Sequence, residues 1–410
     1  GELSVLNYQP RARSEQQVYL FDRTHWKQLD QQVFFDFVKD AAAQAGMLEA
    51  EREDPALMES LAQQIAFRVA RSQHPYVPEQ EAWINMQNGT LVIHPDGTIE
   101  LRQHRREDCF RYVLPYVYDP HAQCPQWHRF LDQMLPEQDA QQILAEYVGY
   151  CLTGHVKAEK MLVLYGRGSN GKSVVLDTIE ALMGSENVSN VSLADLTCDD
   201  EKRSMIEGKL LNISFESDRE LDNSMLKLLV SGEPVAVRRL YVGSHVMRQY
   251  AKLITSFNVL PRAENTYGYL RRFIILPFKT TIKAEDADLQ LAGKLKQELP
   301  GILNWTLEAL TGFLQRQAFS ESEVCRRELE RYKHTANSVL LFLEDMCQAD
   351  DTFTTNGKDL FASYKQYCYN DLLRPLGKLR FFEMLEAQGI RRTEFRRNIM
   401  FNIRMIGNNE

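Results

Sequence analysis

Apolar residues recur at three- and four-residue intervals over two early stretches, Trp26, Leu29, Val33, Phe34, Phe37 and Val38, then Leu57, Leu61, Ile65 and Val69. That spacing gathers them on one helix face, so residues 17–72 are expected to be mostly helical with core-facing stripes. The period then changes. Leu91-Val92-Ile93 sits between the turn signals Asn88-Gly89 and Asp96-Gly97, and Ile99 and Leu101 alternate with polar neighbours, which reads as a β segment. Pro115, Pro120 and Pro125 interrupt regular structure. From Pro136 the helical period returns, with Ile143, Leu144, Tyr147, Val148, Cys151 and Leu152 on one face, and leads to the short apolar run Met161-Leu162-Val163-Leu164-Tyr165, expected to be a buried strand. Strands and helices alternate from there to about residue 280. Helices resume over 286–334, with an apolar stripe at Ile302, Leu303, Leu307, Leu310 and Leu314.

The last segment, 335–410, reads as three helices followed by a strand pair, an order that resembles a winged helix. The expected class is therefore α/β: a parallel sheet flanked by helices over 131–334, a mainly helical α+β domain over 1–130, and a winged-helix-like domain over 335–410. No internal repeat or low-complexity tract interrupts it.

The strand at 161–165 runs into Gly166-Arg167-Gly168-Ser169-Asn170-Gly171-Lys172-Ser173, which matches G-x-x-x-x-G-K-S. A helical pattern, Ser173 to Leu182, follows. Strand, glycine-rich loop and helix in this order are the context that gives the motif meaning. Glycines let backbone N–H groups converge on phosphates, and the helix N-terminus adds a fixed partial positive charge. The expected nucleotide-binding residues are Gly166, Gly168, Ser169, Asn170, Gly171, Lys172, Ser173 and Val174. Lys172 would reach the β- and γ-phosphates of ATP, and Ser173 would hold Mg²⁺. A chance match in another α/β fold is the competing reading.

Composition leaves this intact. The chain has 410 residues, 44% of them hydrophobic and 25% charged, as in an ordinary globular protein of two or three domains. No apolar run approaches the ~20 residues of a membrane span. The first residues carry no signal pattern, and the absence of a starting Met makes the chain read as a fragment. Seven scattered cysteines without C-x-x-C argue against a zinc site or disulfide framework and for a reducing, cytoplasmic setting. A net charge of −8 counts mildly against nucleic-acid binding, without excluding a local basic surface.

Downstream, Leu210 to Phe215 is a largely apolar strand that ends in Glu216-Ser217-Asp218, and such a strand delivers acids to a metal and an attacking water. Glu216 is the first choice, also as a Mg²⁺ ligand, and Asp218 shares the work. Val235 to Val242 and His245 to Tyr250 read as a hairpin with Gly243-Ser244 at its tip. Its Arg238, Arg239, Tyr241, His245 and Arg248 combine cations and flat rings, which suits a sugar-phosphate backbone. A solvated edge hairpin is the equal alternative. Asn258 ends a further strand, where an amide would orient the attacking water. Arg271-Arg272 precede Phe273-Ile274-Ile275-Leu276-Pro277, where an arginine would serve as a finger for a neighbouring subunit's γ-phosphate.

The ordered set, with Ser-Phe-Glu-Ser-Asp (214–218), Ser-Gly-Glu-Pro-Val (231–235), Asn-Val-Leu-Pro-Arg (258–262) and Arg-Arg-Phe-Ile-Ile-Leu-Pro-Phe (271–278), resembles the superfamily 3 helicases of the AAA+ class, specifically the phage/plasmid and poxvirus-type primase-helicases. Asn88-Gly89-Thr90-Leu91, Leu114 to Pro120 and Tyr147 to Tyr150 resemble that family's pre-helicase domain. The resemblance spans roughly residues 80–315. It implies a ring, usually hexameric, with ATP between subunits and 3′-to-5′ translocation on single-stranded and forked DNA during replication of a phage, plasmid or other mobile element in its host cytoplasm. A primase or polymerase is a candidate partner. On this sequence the resemblance makes Lys172 and Ser173 the Walker A pair, Glu216 with Asp218 the acidic motif, Asn258 the sensor, Arg272 or Arg271 the finger and 235–250 the pore hairpin. Two features depart from the pattern: Ser217 separates the acids, and the hairpin tip has no lysine. The runner-up is an AAA+ switch or origin-loading factor acting on a protein partner without processive unwinding. Arg391, Arg392, Arg396, Arg397 and Arg404 mark a duplex-DNA contact, a solvated charged face or a protein-contact winged helix.

Overall fold

In a computed structural model of the chain, the described residues are 2–6, 18–71, 77–78, 80–154, 157–215, 221–239, 243–260, 267–282, 288, 290–335, 337–349, 353–370, 375–396 and 398–406. The chain forms two compact units, Gly1–Val259 with Arg272–Cys325, and Leu260–Arg271 with Arg326–Glu410.

The first unit is built on a five-stranded sheet. Its strands are β1 (Met161–Tyr165), β2 (Val188–Ser189), β3 (Leu211–Phe215), β6 (Lys252–Phe257) and β7 (Phe273–Pro277), with the hairpin strands β4 (Val235–Arg239) and β5 (Gly243–Met247) between β3 and β6 in the chain. The order across the sheet is β7-β1-β6-β3-β2, and every pair is parallel. A central parallel strand is covered on both faces, which is why β1 is a continuous apolar run with Met161 to Leu164 fully buried. Helices α1 (Pro125–Met134), α2 (Gln138–Leu152), α3 (Lys172–Met183), α4 (Asn223–Val230) and α5 (Leu299–Arg316) belong to this unit. Most of α2 is buried all round, as expected of a helix inside a core rather than on its rim. Tyr147 on α2 donates its hydroxyl proton to Leu253 O at 2.7 Å, tying that helix to the start of β6. Buried Asn212 in β3 is satisfied by Val191 N, Val191 O and Ser189 Oγ, and so holds the chain leaving β2 against β3.

The N-terminal part departs from the helical expectation. Val18–Phe21 and Trp26–Gln28 are antiparallel strands, so Trp26 lies on a strand and Leu29 precedes the helix. The cause is local polar chemistry. The Asp22 carboxylate accepts from the N–H groups of Thr24 and His25, which closes a turn, and Asp30 caps a helix that starts only at Gln31. Along Gln31–Gln44 the buried stripe runs through Phe34, Val38 and Ala42, while Val33 is 52% and Phe37 39% exposed. Helix Pro55–Val69 buries Met58 and Ala62. The expected β segment is a three-stranded meander of Ala82–Met86, Gly89–Ile93 and Ile99–Arg102.

The second unit contains helices Ser338–Met346, Gly357–Asn370 and Lys378–Ala387, with strands Thr355–Asn356, Asn398–Phe401 and Arg392–Phe395 in that order across an antiparallel sheet. Phe342, Tyr364, Phe381 and Phe401 form its fully buried centre, with Tyr364 and Phe381 stacked at 4.3 Å.

Candidate functional site

The loop between β1 and α3 is shaped by backbone sterics. Ser169 and Gly171 have left-handed φ values of 59° and 77°. A Cβ on Gly166 would stand 2.2 Å from Phe278 O, so only glycine lets the loop pass the end of β7. Hydrogen bonds then lock the loop to the neighbouring strand ends. Gly166 N donates to Phe257 O, Phe278 N to Tyr165 O, Ile282 N to Ser169 O, and Asn170 Nδ2 to Phe278 O at 3.0 Å.

Lys172, the first residue of α3, is only 5% exposed. Its ammonium donates to Gly166 O, to Asn170 Oδ1 at 3.0 Å and to Asn258 Oδ1 at 3.3 Å. A buried ammonium requires such acceptors. Asn258 reaches it because β6 is the immediate neighbour of β1 and the register pairs Phe257 with Tyr165. Ser173 is exposed in the first turn of α3, Val174 is partly buried, and Gly168 has open space around it. The result is a cradle of helix N-terminus, loop backbone and lysine that is chemically suited to an anion.

β3 ends at the same carboxyl edge, with Phe215 paired to Ser256. Glu216 and Asp218 lie just beyond it, outside the described residues.

Arg271 and Arg272 are not brought to the loop. They precede β7 and therefore sit at the amino edge, about 16 Å away along a five-residue strand. Arg272 is largely buried, with its side chain 15% exposed. Its Nε and Nη2 donate to Ser231 Oγ at 3.0 and 2.9 Å, and Nη2 lies 4.0 Å from Glu159. Arg271 is exposed.

The hairpin β4–β5 pairs Val235 with Met247, Val237 with His245 and Arg239 with Gly243. The expected tip, Gly243-Ser244, is in fact the start of the return strand. Tyr241 lies outside the described residues. One hairpin face buries Val235, Val237 and Met247; the other exposes Ala236, Arg238, Ser244 and Val246. Arg248 is also exposed. Arg239 and His245 both engage Glu207, at 2.9 and 2.8 Å. Buried Arg203 braces the hairpin from below, donating to Ala236 O, Leu196 O and Thr197 O. Sequence reasoning missed Glu207 and Arg203. Each lies more than thirty residues from its hairpin partner, and no spacing rule links them.

Comparison with known proteins agrees with this architecture. Residues 8–136 match a family described as D5 N terminal like, and residues 164–272 match a family of unknown function, DUF5906. A putative helicase, L207/L206 of Acanthamoeba polyphaga mimivirus, is 23% identical over 247 residues, which cover 55% of this chain and 25% of that protein. The chain thus spans about a quarter of that relative's length. Among solved structures, the A form apo structure of the NrS-1 C-terminal region is similar with a TM-score of 0.54 at 10% identity, over 99% of this chain and 96% of the other. A further apo structure of the same region gives 0.52 at 10% identity, over 98% and 95%. These two likenesses concern the fold alone. The D5-type N-terminal match, the helicase relative and the five-stranded parallel sheet together support a likeness to the phage and viral primase-helicase family.

Proposed function

We propose that this chain is the motor part of a primase-helicase, an AAA+ ATPase of superfamily 3 that forms a ring, hexameric by family resemblance, and moves 3′-to-5′ on single-stranded DNA to open forks during replication of a phage, plasmid or other mobile element. The observation that carries it is the convergence of Lys172 and Asn258 at the carboxyl edge of a parallel sheet whose next strand leads to Glu216 and Asp218. In an open α/β sheet, ligands bind beyond the carboxyl ends of the strands.

In this reading the loop N–H groups and Lys172 take the β- and γ-phosphates of ATP, so Lys172 exchanges its neutral acceptors for phosphate oxygens. The residues fit a nucleotide-bound Mg²⁺, because Ser173 presents an exposed hydroxyl beside the loop and Glu216 follows β3 at the same edge. The metal ion would neutralise charge on the phosphates. Glu216, with Asp218, acts as base towards the attacking water and Asn258 orients it. The finger comes from a neighbouring subunit, since β7 carries Arg271 and Arg272 away from their own loop.

The hairpin feeds directly into β6, whose far end carries Asn258. Six residues of strand make a stiff link of about 20 Å between the nucleotide and the hairpin's foot. Arg238 and Arg248, both exposed, grip the DNA backbone. Backbone contacts allow release at each step, as base-specific contacts would not. The element order of residues 338–406 supports a winged-helix reading for the C-terminal unit, with Arg391, Arg392 and Arg396 exposed around the strand pair.

One observation favours the second reading, a protein-partner switch. Arg239 and His245 are engaged by Glu207 within the subunit, which leaves fewer hairpin cations facing outward. ATP hydrolysis with and without single-stranded DNA, together with unwinding of a forked duplex by wild type and Lys172→Ala, separates the two. DNA-stimulated hydrolysis and loss of unwinding in Lys172→Ala are expected. Hydrolysis indifferent to DNA, or unwinding that survives the substitution, sinks the helicase reading.

A further inference from the structure

At the amino edge of the sheet, on the side away from the glycine-rich loop, the first unit carries a partly open pocket with a cavity volume of about 40 Å³. Its wall carries Lys157, Lys160, Arg248 and Lys252, and none of the described residues that line it is acidic. Topology brings these cations together. Lys160 precedes β1 and Lys252 opens β6, and β1 and β6 are neighbours in the sheet. Arg248 follows β5. The Lys157 stem lies over Gly232, its Cε 3.5 Å from where a Cβ would stand. The Lys252 ammonium stands 4.4 Å from the centroid of the Tyr150 ring, over its face. Glu159, adjacent in sequence, lies beside Arg272.

Like charges gathered around one partly enclosed space repel. Burial pulls the Lys252 ammonium down to about 8, with Cys151 opposing the shift and Lys157 adding a lesser lowering. An anion held among them offsets the repulsion and accepts charge-assisted hydrogen bonds from the pocket's cations.

We propose that this cavity is a second anion site, which takes a phosphate group. The phosphodiester of single-stranded DNA is the source the placement favours, because Arg248 lies on the chain that returns from the hairpin and Lys157 is exposed at the cavity mouth. Free phosphate or a nucleotide is the other source of the same chemistry. The site lies at the opposite end of β1 from Lys172, so it is separate from the loop. It needs no hydrolysis and stands or falls independently of the motor reading.

The test uses the full chain, a Lys157→Gln/Lys160→Gln variant and a Lys157→Arg/Lys160→Arg variant that keeps the charge and controls for folding. In the first arm, binding of a fluorescein-labelled oligothymidine is followed across a salt series. The Gln variant is expected to bind about tenfold more weakly with a salt slope lower by about 1.4, roughly 0.7 for each lysine that no longer neutralises a phosphate, and the Arg variant to behave as wild type. In the second arm, pyrophosphate is added at constant ionic strength in a Lys172→Ala background, which removes the loop's contribution, and the melting temperature is read. A rise abolished by the Gln pair and kept by the Arg pair is expected. A response in both arms supports DNA as the source, and a response in the second alone supports a site for free phosphate. No response in either arm overturns the site. Failure of wild type to bind oligothymidine at all would defeat the helicase reading, while the second arm still decides the cavity.

Discussion

The Lys172 ammonium lies 3.3 Å from Asn258 Oδ1, across the junction of two adjacent parallel strands and 86 residues apart in the chain. This contact gives Asn258 two tasks in the proposed cycle: it holds the lysine, and it stands where the γ-phosphate's attacking water would be oriented. Asn258→Asp replaces the amide oxygen with a carboxylate that competes with phosphate for Lys172. Nucleotide affinity is expected to fall at least tenfold, since a charge-assisted bond is about twice as strong as a neutral one. Asn258→Ala is expected to leave affinity within about threefold and to reduce kcat by about a hundredfold. Equilibrium binding of a fluorescent ATP analogue, alongside steady-state kinetics, reads both.

Arg271 and Arg272 are expected to separate cleanly. Arg272 is buried against Ser231 and near Glu159, so Arg272→Ala leaves a buried hydroxyl without its donor and is expected to cost about 1–3 kcal/mol of stability, read by urea unfolding. Arg271→Ala is expected to unfold as wild type does but to hydrolyse ATP at least a hundredfold more slowly. Mixing Arg271→Ala with Lys172→Ala subunits should restore part of the activity if the finger acts between subunits. Full activity of Arg271→Ala would move the role to Arg272.

Glu207 holds Arg239 and His245 on the hairpin. Glu207→Gln removes the carboxylate and keeps its shape. Affinity for oligothymidine is expected to rise by roughly three- to tenfold, with a steeper salt dependence by about 0.7 for one further neutralised phosphate. Unchanged affinity and slope would mean that these two cations face the protein rather than DNA.

Lys252 makes a pH prediction. Burial is the main cause of its fall from the ordinary 10.5 to about 8. The group is therefore neutral in the folded chain and protonated in the unfolded chain between those values. Folding releases a proton there, so its contribution to stability rises as pH rises from about 8 to 10.5 and is at its least favourable below 8. Lys252→Met should flatten that rise and leave stability equal or higher at neutral pH. Urea unfolding of both proteins at about pH 7.5 and about pH 10 measures it, and parallel pH profiles for the two would contradict the assignment.

What was legible along the chain was local. Val163 and Leu164 must be buried on both faces, Gly166 must pass a carbonyl, Gly171 must turn left-handed, and the next residues must start a helix; each demand is met within a few residues, so the strand, loop and helix over 161–183 could be read directly. The same holds for the meander over 82–102, where alternation and turn residues coincide. The early failures, at Trp26 and Leu29, are also local but of a different kind. Apolar spacing was compatible with a helix, and the Asp22 turn and Asp30 cap decided otherwise through hydrogen bonds that spacing does not encode.

Only the tertiary structure decided which distant groups meet. The order β7-β1-β6-β3-β2 sets Asn258 beside Lys172, sends Arg272 to the far edge, and gathers Lys157, Lys160, Arg248 and Lys252 around one cavity. Strand order depends on how buried surfaces of separate elements fit together, a property of pairs of elements that the amino-acid pattern of either one does not contain. The chain by itself therefore determined a glycine-rich loop between a strand and a helix of a parallel sheet. Packing determined which side chains that loop faces and which cations share the pocket at the opposite edge.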